Sequence, residues 1–469
     1  MAENRYKKLM GNTMIFAIGQ FSSKLLVFLM MPFYTNILNT SEYGIVDAII
    51  NFAQILIPFA CAGIYNGVIR FGLDKEYDKT SVYTTGLYVT MGGFIVLALV
   101  SPIFNLIAFL DGYVLTVLMY VLMSNFRRLN LEMSRSLGYN KTYAANGVAN
   151  TFLFVVLNIL FLAVFRWGVM GYVLANVCAD AITGTFIFFQ LKMYRYIARP
   201  ARINKRTARS IIGYSLPLIP TTVCNWIISM SDRYMLIYFI DTSANGLYAA
   251  AHKIPTILTI VATIFTDAWQ ISAVTEDRDK LESFYSNVMA AFSSVAFILS
   301  SGIVFTAKLG ITLLAADSYY EAWMYIPVLA LSTTFALLAQ YLATVYMVAK
   351  KTIMTMWTTA FGAALNVIFN AIFIPICGIQ GAAIGTCLSY IALFAIRVVH
   401  TRKYIKIKWN VPKFAANFAI LLVQTLVMLA EPQFWIAIEL VLFALLCLIN
   451  LREMLLAARQ VLSRRRKKH

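Results

Sequence analysis

The residues of this chain with chemistry to offer are ionisable side chains set in otherwise apolar runs. Three are cations, Lys24, Arg233 and Lys253, and four are carboxylates, Asp47, Asp180, Asp232 and Asp267. A charge at the centre of a spanning helix costs about 2.5–3.5 kcal/mol on insertion scales, so such groups face a partner or a polar cavity. Cations around a cavity hold an anion. A carboxylate in low dielectric can carry a proton or hold Na⁺ as its occupancy changes, which makes the four acids candidate ion-coupling sites, or simple counter-ions.

Polar residues accompany these charges at helical spacing. Gln20 and Ser23 precede Lys24, while Asp47, Asn51 and Gln54 share one face at i, i+4 and i+7. Asn225 and Ser229 lead to Asp232-Arg233. His252, Thr256, Thr259, Thr263, Thr266 and Gln270 form a stripe beside Lys253 and Asp267. Any one threonine is equally well explained by helix-to-helix hydrogen bonding. For the cations the competing reading is an internal ion pair with Asp47 or Asp232, but three cations exceed what such pairing needs. Arg70, Arg127 and Arg128 stand at predicted helix ends, where they snorkel into headgroups or form a vestibule that gathers an anion.

The elements that must position these groups follow from composition. Of 469 residues, 60% are hydrophobic and 13% charged, against about a quarter charged in a soluble domain; mean hydropathy is +0.73. Apolar runs long enough to cross a bilayer recur along the chain, and only helices suit them, giving an all-α polytopic membrane protein. Fourteen spans are predicted, at 13–36, 44–69, 82–109, 113–126, 143–165, 168–191, 211–240, 246–270, 284–307, 323–348, 353–376, 379–398, 413–430 and 433–451. The first is a retained helix with no A-x-A cleavage site after it. The six cysteines lie in apolar runs without metal-ligand spacing and read as buried thiols.

Basic residues in short loops stay cytoplasmic. Of the 39 Lys and Arg, Lys24, Arg233 and Lys253 fall within helices and Arg166 and Lys308 in opposite-side loops; the rest lie on one face or its margin. Both termini are therefore expected in the cytoplasm. The formal charge of +18 is a topology signal and not a nucleic-acid surface, since spans separate the basic loops. Contact with anionic lipid headgroups and a solvated stop signal explain the basic tail equally well. No P-loop, G-x-S-x-G motif or zinc spacing is present, so no enzyme and no resident cofactor is expected.

The chain also repeats itself. Gly11, Thr40, Ser41 and Gly44 recur 202 positions later as Gly213, Thr242, Ser243 and Gly246. Leu157-Asn158 and Gly168-x-x-Gly171 recur as Leu365-Asn366 and Gly378-x-x-Gly381. Six helices separate the copies, so the repeats are parallel. The expected divisions are a six-helix bundle with its basic loop over 1–209, a second six-helix bundle over 210–410, and a helical pair with a basic tail over 411–469. The polar faces fall on the first two helices of each copy, which points to a shared central space.

Several stretches carry a family resemblance. Lys24, then Pro32-Phe33-Tyr34-Thr35-Asn36-Ile37-Leu38 and Ser41-Glu42-Tyr43-Gly44, resemble the bacterial Wzx-type polysaccharide-unit flippases of the multidrug/oligosaccharidyl-lipid/polysaccharide exporter superfamily. So do Ser215-Leu216-Pro217-Leu218-Ile219-Pro220 with Ser231-Asp232-Arg233-Tyr234, and the run Gly378 to Thr386. The resemblance implies two bundles rocking about a central cavity in the bacterial plasma membrane. Its substrate would be an undecaprenyl-diphosphate-linked oligosaccharide, with the diphosphate on Lys24, Arg233 and Lys253, and its partners a polysaccharide polymerase and glycosyltransferases. A lipid II flippase and a drug or Na⁺ antiporter of the same superfamily are the alternatives, and a non-transporting membrane scaffold is the alternative of another class.

Overall fold

In the computed structural model, residues 24–74, 76–199, 203–263, 281–349 and 351–466 are described. They form helices joined by short turns, with no strand among them. Ten of these helices are long and apolar enough to cross a membrane, and Lys24–Ile37 and Trp435–Leu451 are shorter apolar helices. Helix makes up most of each span read from the sequence wherever it is described, with turns at 61–63 and 254–255 interrupting two of them. The part of 13–36 before Lys24 and the part of 246–270 after Thr263 lie outside the described residues, and with them Gln20, Ser23, Thr266, Asp267 and Gln270.

Packing separates the chain into two compact units, Met1–Trp226 and Ile227–His469. The first contains α1 (Lys24–Ile37), α2 (Thr40–Ala60), α3 (Ile64–Gly72), α4 (Lys79–Val100), α5 (Val114–Ser136), α6 (Asn140–Asn158), α7 (Gly168–Gln190) and α8 (Lys205–Ser215). The division falls inside α9 (Ile219–Phe239). The second unit continues with α10 (Thr242–Lys253), α11 (Leu281–Phe305), α12 (Ala307–Leu314), α13 (Ile326–Val348), α14 (Thr352–Cys377), α15 (Ile379–Thr401), α16 (Val411–Ala430) and α17 (Trp435–Arg466).

Two of the departures from the predicted spans have clear local reasons. The span at 44–69 is two helices, because Pro58 weakens the end of α2 and the chain then turns through left-handed Ala62 and Gly63. The Gly63 amide bonds back to the Pro58 carbonyl at 2.9 Å, a C-terminal capping geometry. The span predicted to end at residue 126 continues to Ser136 as α5. Its extra turns are held by burial: Leu129 and Met133 join a core with Ile64, Val68, Val82, Tyr83 and Ile211, and Tyr83 donates to Asn130 Oδ1 at 2.6 Å. Arg127 and Arg128 therefore sit mid-helix and not at a helix end.

The repeat has a physical basis at its boundaries. α2 and α10 begin at Thr40 and Thr242, and the residue before each, Asn39 and Asp241, accepts the third helical amide at 2.9 and 2.7 Å. Gly168 and Gly378, also equivalent, both have positive φ and start the equivalent helices α7 and α15. Further along, Gly381 lets α15 cross α14 closely, since a Cβ there would lie 2.0 Å from the Phe373 carbonyl oxygen.

The second unit carries the terminal pair on buried polar rungs. Ser301 of α11 donates to Gln424 of α16 at 2.5 Å, Gln424 donates to Glu439 of α17 at 2.9 Å, and Asn417 and Asn450 exchange bonds at 3.1 and 2.8 Å. Bonds of this kind contribute on the order of 0.6 kcal/mol each in a bilayer, but they fix which helix faces meet.

Candidate functional site

Extending α5 past residue 126 brings charges into contact with a cavity. Within the first unit a space of about 550 Å³ is lined by Lys24, Arg127, Arg128, Glu132 and Asp180, with Tyr120, Ser124, Asn150 and Asn176 among its polar wall. Three cations and two acids thus face one cavity.

Both acids are ion-paired, one of them with a cavity arginine. Asp180 of α7 accepts from Ser124 and, at 2.9 Å, from Asn150 Nδ2, and its Oδ1 lies 3.5 Å from Arg127 Nη1. Glu132 pairs with Arg135 at 3.1 Å. Arg127 Nε also donates to Asn146 Oδ1 at 3.3 Å, and Asn146 donates to the Thr183 carbonyl at 2.9 Å. The Arg127 guanidinium is therefore fixed by α6 and α7 together. Arg128 lies over the Tyr65 ring, 3.7 Å from its centroid, a cation–π contact that holds the charge without neutralising it. Such a wall suits an anion with several oxygens, because guanidinium groups bind phosphate through fixed pairs of N–H donors.

Other sequence-predicted residues are placed differently. Asp47 accepts from Asn51 Nδ2 at 3.1 Å, the Asn51 carbonyl accepts from Trp226 Nε1 at 2.9 Å, and Gln54 is exposed. Arg70 does not line the cavity; it is exposed at the end of α3, 4.0 Å from Asp74. In the stripe, Thr256, Thr259 and Thr263 donate to the carbonyls of Lys253, Thr256 and Thr259. Those hydroxyl protons are thus directed along their own helix. Asn225 is exposed, Lys253 half-buried, and Ser229 Oγ is 3.4 Å from the Tyr390 hydroxyl.

Asp232 and Arg233 form a second polar centre, inside the second unit. Asp232 is fully buried. Its Oδ2 accepts from Tyr248 at 2.6 Å and Thr386 at 3.1 Å, and its Oδ1 accepts the Arg233 amide at 2.9 Å. Thr386 accepts from Asn366 Nδ2 at 3.1 Å, and Asn366 Oδ1 accepts from Ser231 at 2.7 Å and Asn370 at 3.0 Å. The Arg233 guanidinium lies 5.9 Å from the Tyr248 ring centroid, and His252 packs edge-on against the same ring.

Two buried ionisable residues escaped the sequence reading. Arg397, placed there at a helix margin, donates from Nε to Thr358 at 3.1 Å, from Nη1 to the Ala339 carbonyl at 2.8 Å and from Nη2 to Thr359 at 2.8 Å. Glu439 is fully buried one turn into an apolar helix. Its signal was available, as an acid inside an apolar run. For Arg397 there was none, because burial of a helix end depends on its neighbours.

Comparison with known proteins agrees with this architecture. The sequence profile of the family described as polysaccharide biosynthesis protein matches residues 9–270. No curated protein sequence matches the chain. Among solved structures, the lipid II flippase MurJ in an inward closed conformation is similar at TM-score 0.74 and 12% identity, covering 96% of this chain and 100% of that one. An inward-facing multidrug resistance MATE family transporter of the MOP superfamily gives 0.66 and 15%, covering 83% and 98%. A MOP superfamily transporter from Pyrococcus furiosus, described with a binding pocket of reversed polarity, gives 0.56 and 14%, covering 84% and 96%. At these identities the likeness is one of fold, that of a multi-pass helical membrane protein.

Proposed function

The chain belongs to the polysaccharide biosynthesis protein family, and from that premise we propose that it flips undecaprenyl-diphosphate-linked oligosaccharide repeat units across the plasma membrane for surface polysaccharide. The observation that carries this reading is the convergence of Lys24, Arg127 and Arg128 on one cavity. A diphosphate is the part of such a lipid that most needs cations once it leaves water, and the amide and hydroxyl groups beside them suit sugar hydroxyls. Transport then requires this head-group site to be exposed to each face of the membrane in turn, with the isoprenoid chain left in lipid.

The Asp232 centre supplies the ion-coupling part of the proposal. A buried carboxylate held by two hydroxyl groups can take up H⁺ or Na⁺, and either would change the hydrogen bonds that join α9, α10 and α15. The topology proposed from the basic loops puts both termini in the cytoplasm. There the cavity would receive its substrate from glycosyltransferases, with a polymerase taking the product on the far side.

A second reading, lipid II as substrate, is favoured by the full-length likeness to MurJ, which covers all of that chain. The two share diphosphate chemistry and differ in sugar. Purified protein in liposomes is expected to move a fluorescent polyprenyl-diphosphate oligosaccharide to the opposite leaflet, and a deletion strain to accumulate repeat units on the cytoplasmic leaflet. Accumulation of lipid II instead would replace the first reading by the second, and movement of neither lipid would reject both.

A further inference from the structure

A second space lies on the same two helices that fix Arg127. Between α6 and α7 a groove of about 560 Å³ has an apolar lining formed by Ala145, Ala149 and Leu153 on one side and Ile182 and Phe186 on the other. Both sets are spaced by four residues, so each follows one helix face along the bilayer direction. The groove exists because Ala145 and Ala149 are too small to fill the space opposite Phe186. All but Leu153 of these residues are exposed, on helices long and apolar enough to span.

The groove is polar at one end. Lys141, in the first turn of α6, and Gln190, the last residue of α7, both line it there. Lys141 is exposed and has no hydrogen-bond or ion-pair partner among the described residues. An apolar channel of this shape with one cation at its surface end is complementary to an amphiphile with an anionic head and a hydrocarbon chain.

We propose that the α6–α7 groove binds one anionic phospholipid of the surrounding bilayer, its phosphate on Lys141 and an acyl chain along Ala145, Ala149 and Leu153. The chain would lie against Asn146 and Thr183, which form the inner wall of the groove. That wall is one hydrogen-bonded layer thick: Asn146 accepts from Arg127 at 3.3 Å, and Thr183 Oγ1 accepts from Asn150 at 3.1 Å. Arg127 and Asn150 line the cationic cavity. The lipid site therefore abuts the partition that positions Arg127, although the proposal does not depend on what the cavity carries.

The test is native mass spectrometry of the full chain in detergent, titrated with dioleoyl phosphatidylglycerol or with dioleoyl phosphatidylcholine, which has the same chains and no net charge. One phosphatidylglycerol should be retained at a site that Lys141→Glu weakens about fivefold and Ala149→Trp abolishes by filling the groove. Lys141→Ala, which is exposed and leaves packing intact, should weaken it less than charge reversal. Unchanged phosphatidylglycerol retention in both Lys141→Glu and Ala149→Trp overturns the proposal. So does a site sensitive to these substitutions that holds undecaprenyl phosphate in preference to phosphatidylglycerol, or that holds phosphatidylcholine equally well.

Discussion

In the first unit and in the second, an arginine ties together the same three helices of the repeat, but it arrives from a different helix and meets different partners. Arg127 projects from α5 to Asn146 of α6 and Asp180 of α7. Arg397 projects from α15, the counterpart of α7, to the Ala339 carbonyl of α13 and to Thr358 and Thr359 of α14. The first has a carboxylate and faces a cavity; the second has only neutral acceptors and is buried at 4% exposure. A neutral set of acceptors can satisfy the donors of a buried guanidinium and leave nothing for a ligand. A charged partner beside open space fixes the group while leaving the cavity next to it open. The joint is thus closed and fully buried in one unit and opens on a polar cavity in the other.

The sharpest break of this comparison is at the glycines that let the joint close. Gly381→Ala would place its methyl 2.0 Å from the Phe373 carbonyl oxygen, whereas at the equivalent Gly171 the nearest atom is Trp167 Cβ at 3.0 Å. Gly381→Ala is expected to cost about 3 kcal/mol or more and Gly171→Ala about 1 kcal/mol, within the range for overpacking. Thermal unfolding in detergent measures both, and equal costs would mean that the two crossings are not packed differently.

Next in size are the arginines. Arg397→Ala should destabilise by about 3 kcal/mol, since three hydrogen bonds from a charged donor are lost together. Arg127→Ala should cost about 3 kcal/mol, because it leaves the largely buried Asp180 carboxylate without its ion partner, and it should also lower head-group transport about tenfold, a loss near 1.4 kcal/mol in the barrier. Adding Asp180→Ala to Arg127→Ala should restore part of the stability and none of the transport, as expected of a coupled pair. If Arg397→Ala abolished transport in protein of unchanged thermal stability, the structural reading of Arg397 would fail.

The smallest effect is expected at Lys24, which is exposed and stands on the cavity wall. Lys24→Gln should reduce transport about threefold without changing thermal stability, and the deficit should shrink as ionic strength rises, because exposed charges are screened. A deficit independent of salt would assign Lys24 a packing role.

The fold was legible to a large degree because its signals are local. Apolar runs of spanning length marked the helices, and Thr40 with Thr242 and Gly168 with Gly378 marked the duplicated boundaries at residues whose caps and positive φ angles are set by near neighbours. The site was legible only in part. Lys24, Arg127, Arg128 and Asp180 were each recognisable as unusual, but Arg127 and Arg128 were read as a helix end because the burial of Leu129 and Met133, which extends α5, comes from α3, α4 and α8. The polar stripe of Thr256, Thr259 and Thr263 has the period of a lining, and its hydroxyl groups donate to carbonyls of their own helix.

What the amino-acid sequence determined by itself is the solvent of this protein, the helices it forms there and their duplication, because hydropathy, helix caps and glycine turns act over a few residues. Which charges share a space was decided by the tertiary structure. A charge is costly wherever it is buried, and sequence gives that cost; the carboxylate, carbonyl or hydroxyl that offsets it comes from helices tens of residues away, and only packing brings those groups within 3 Å or so.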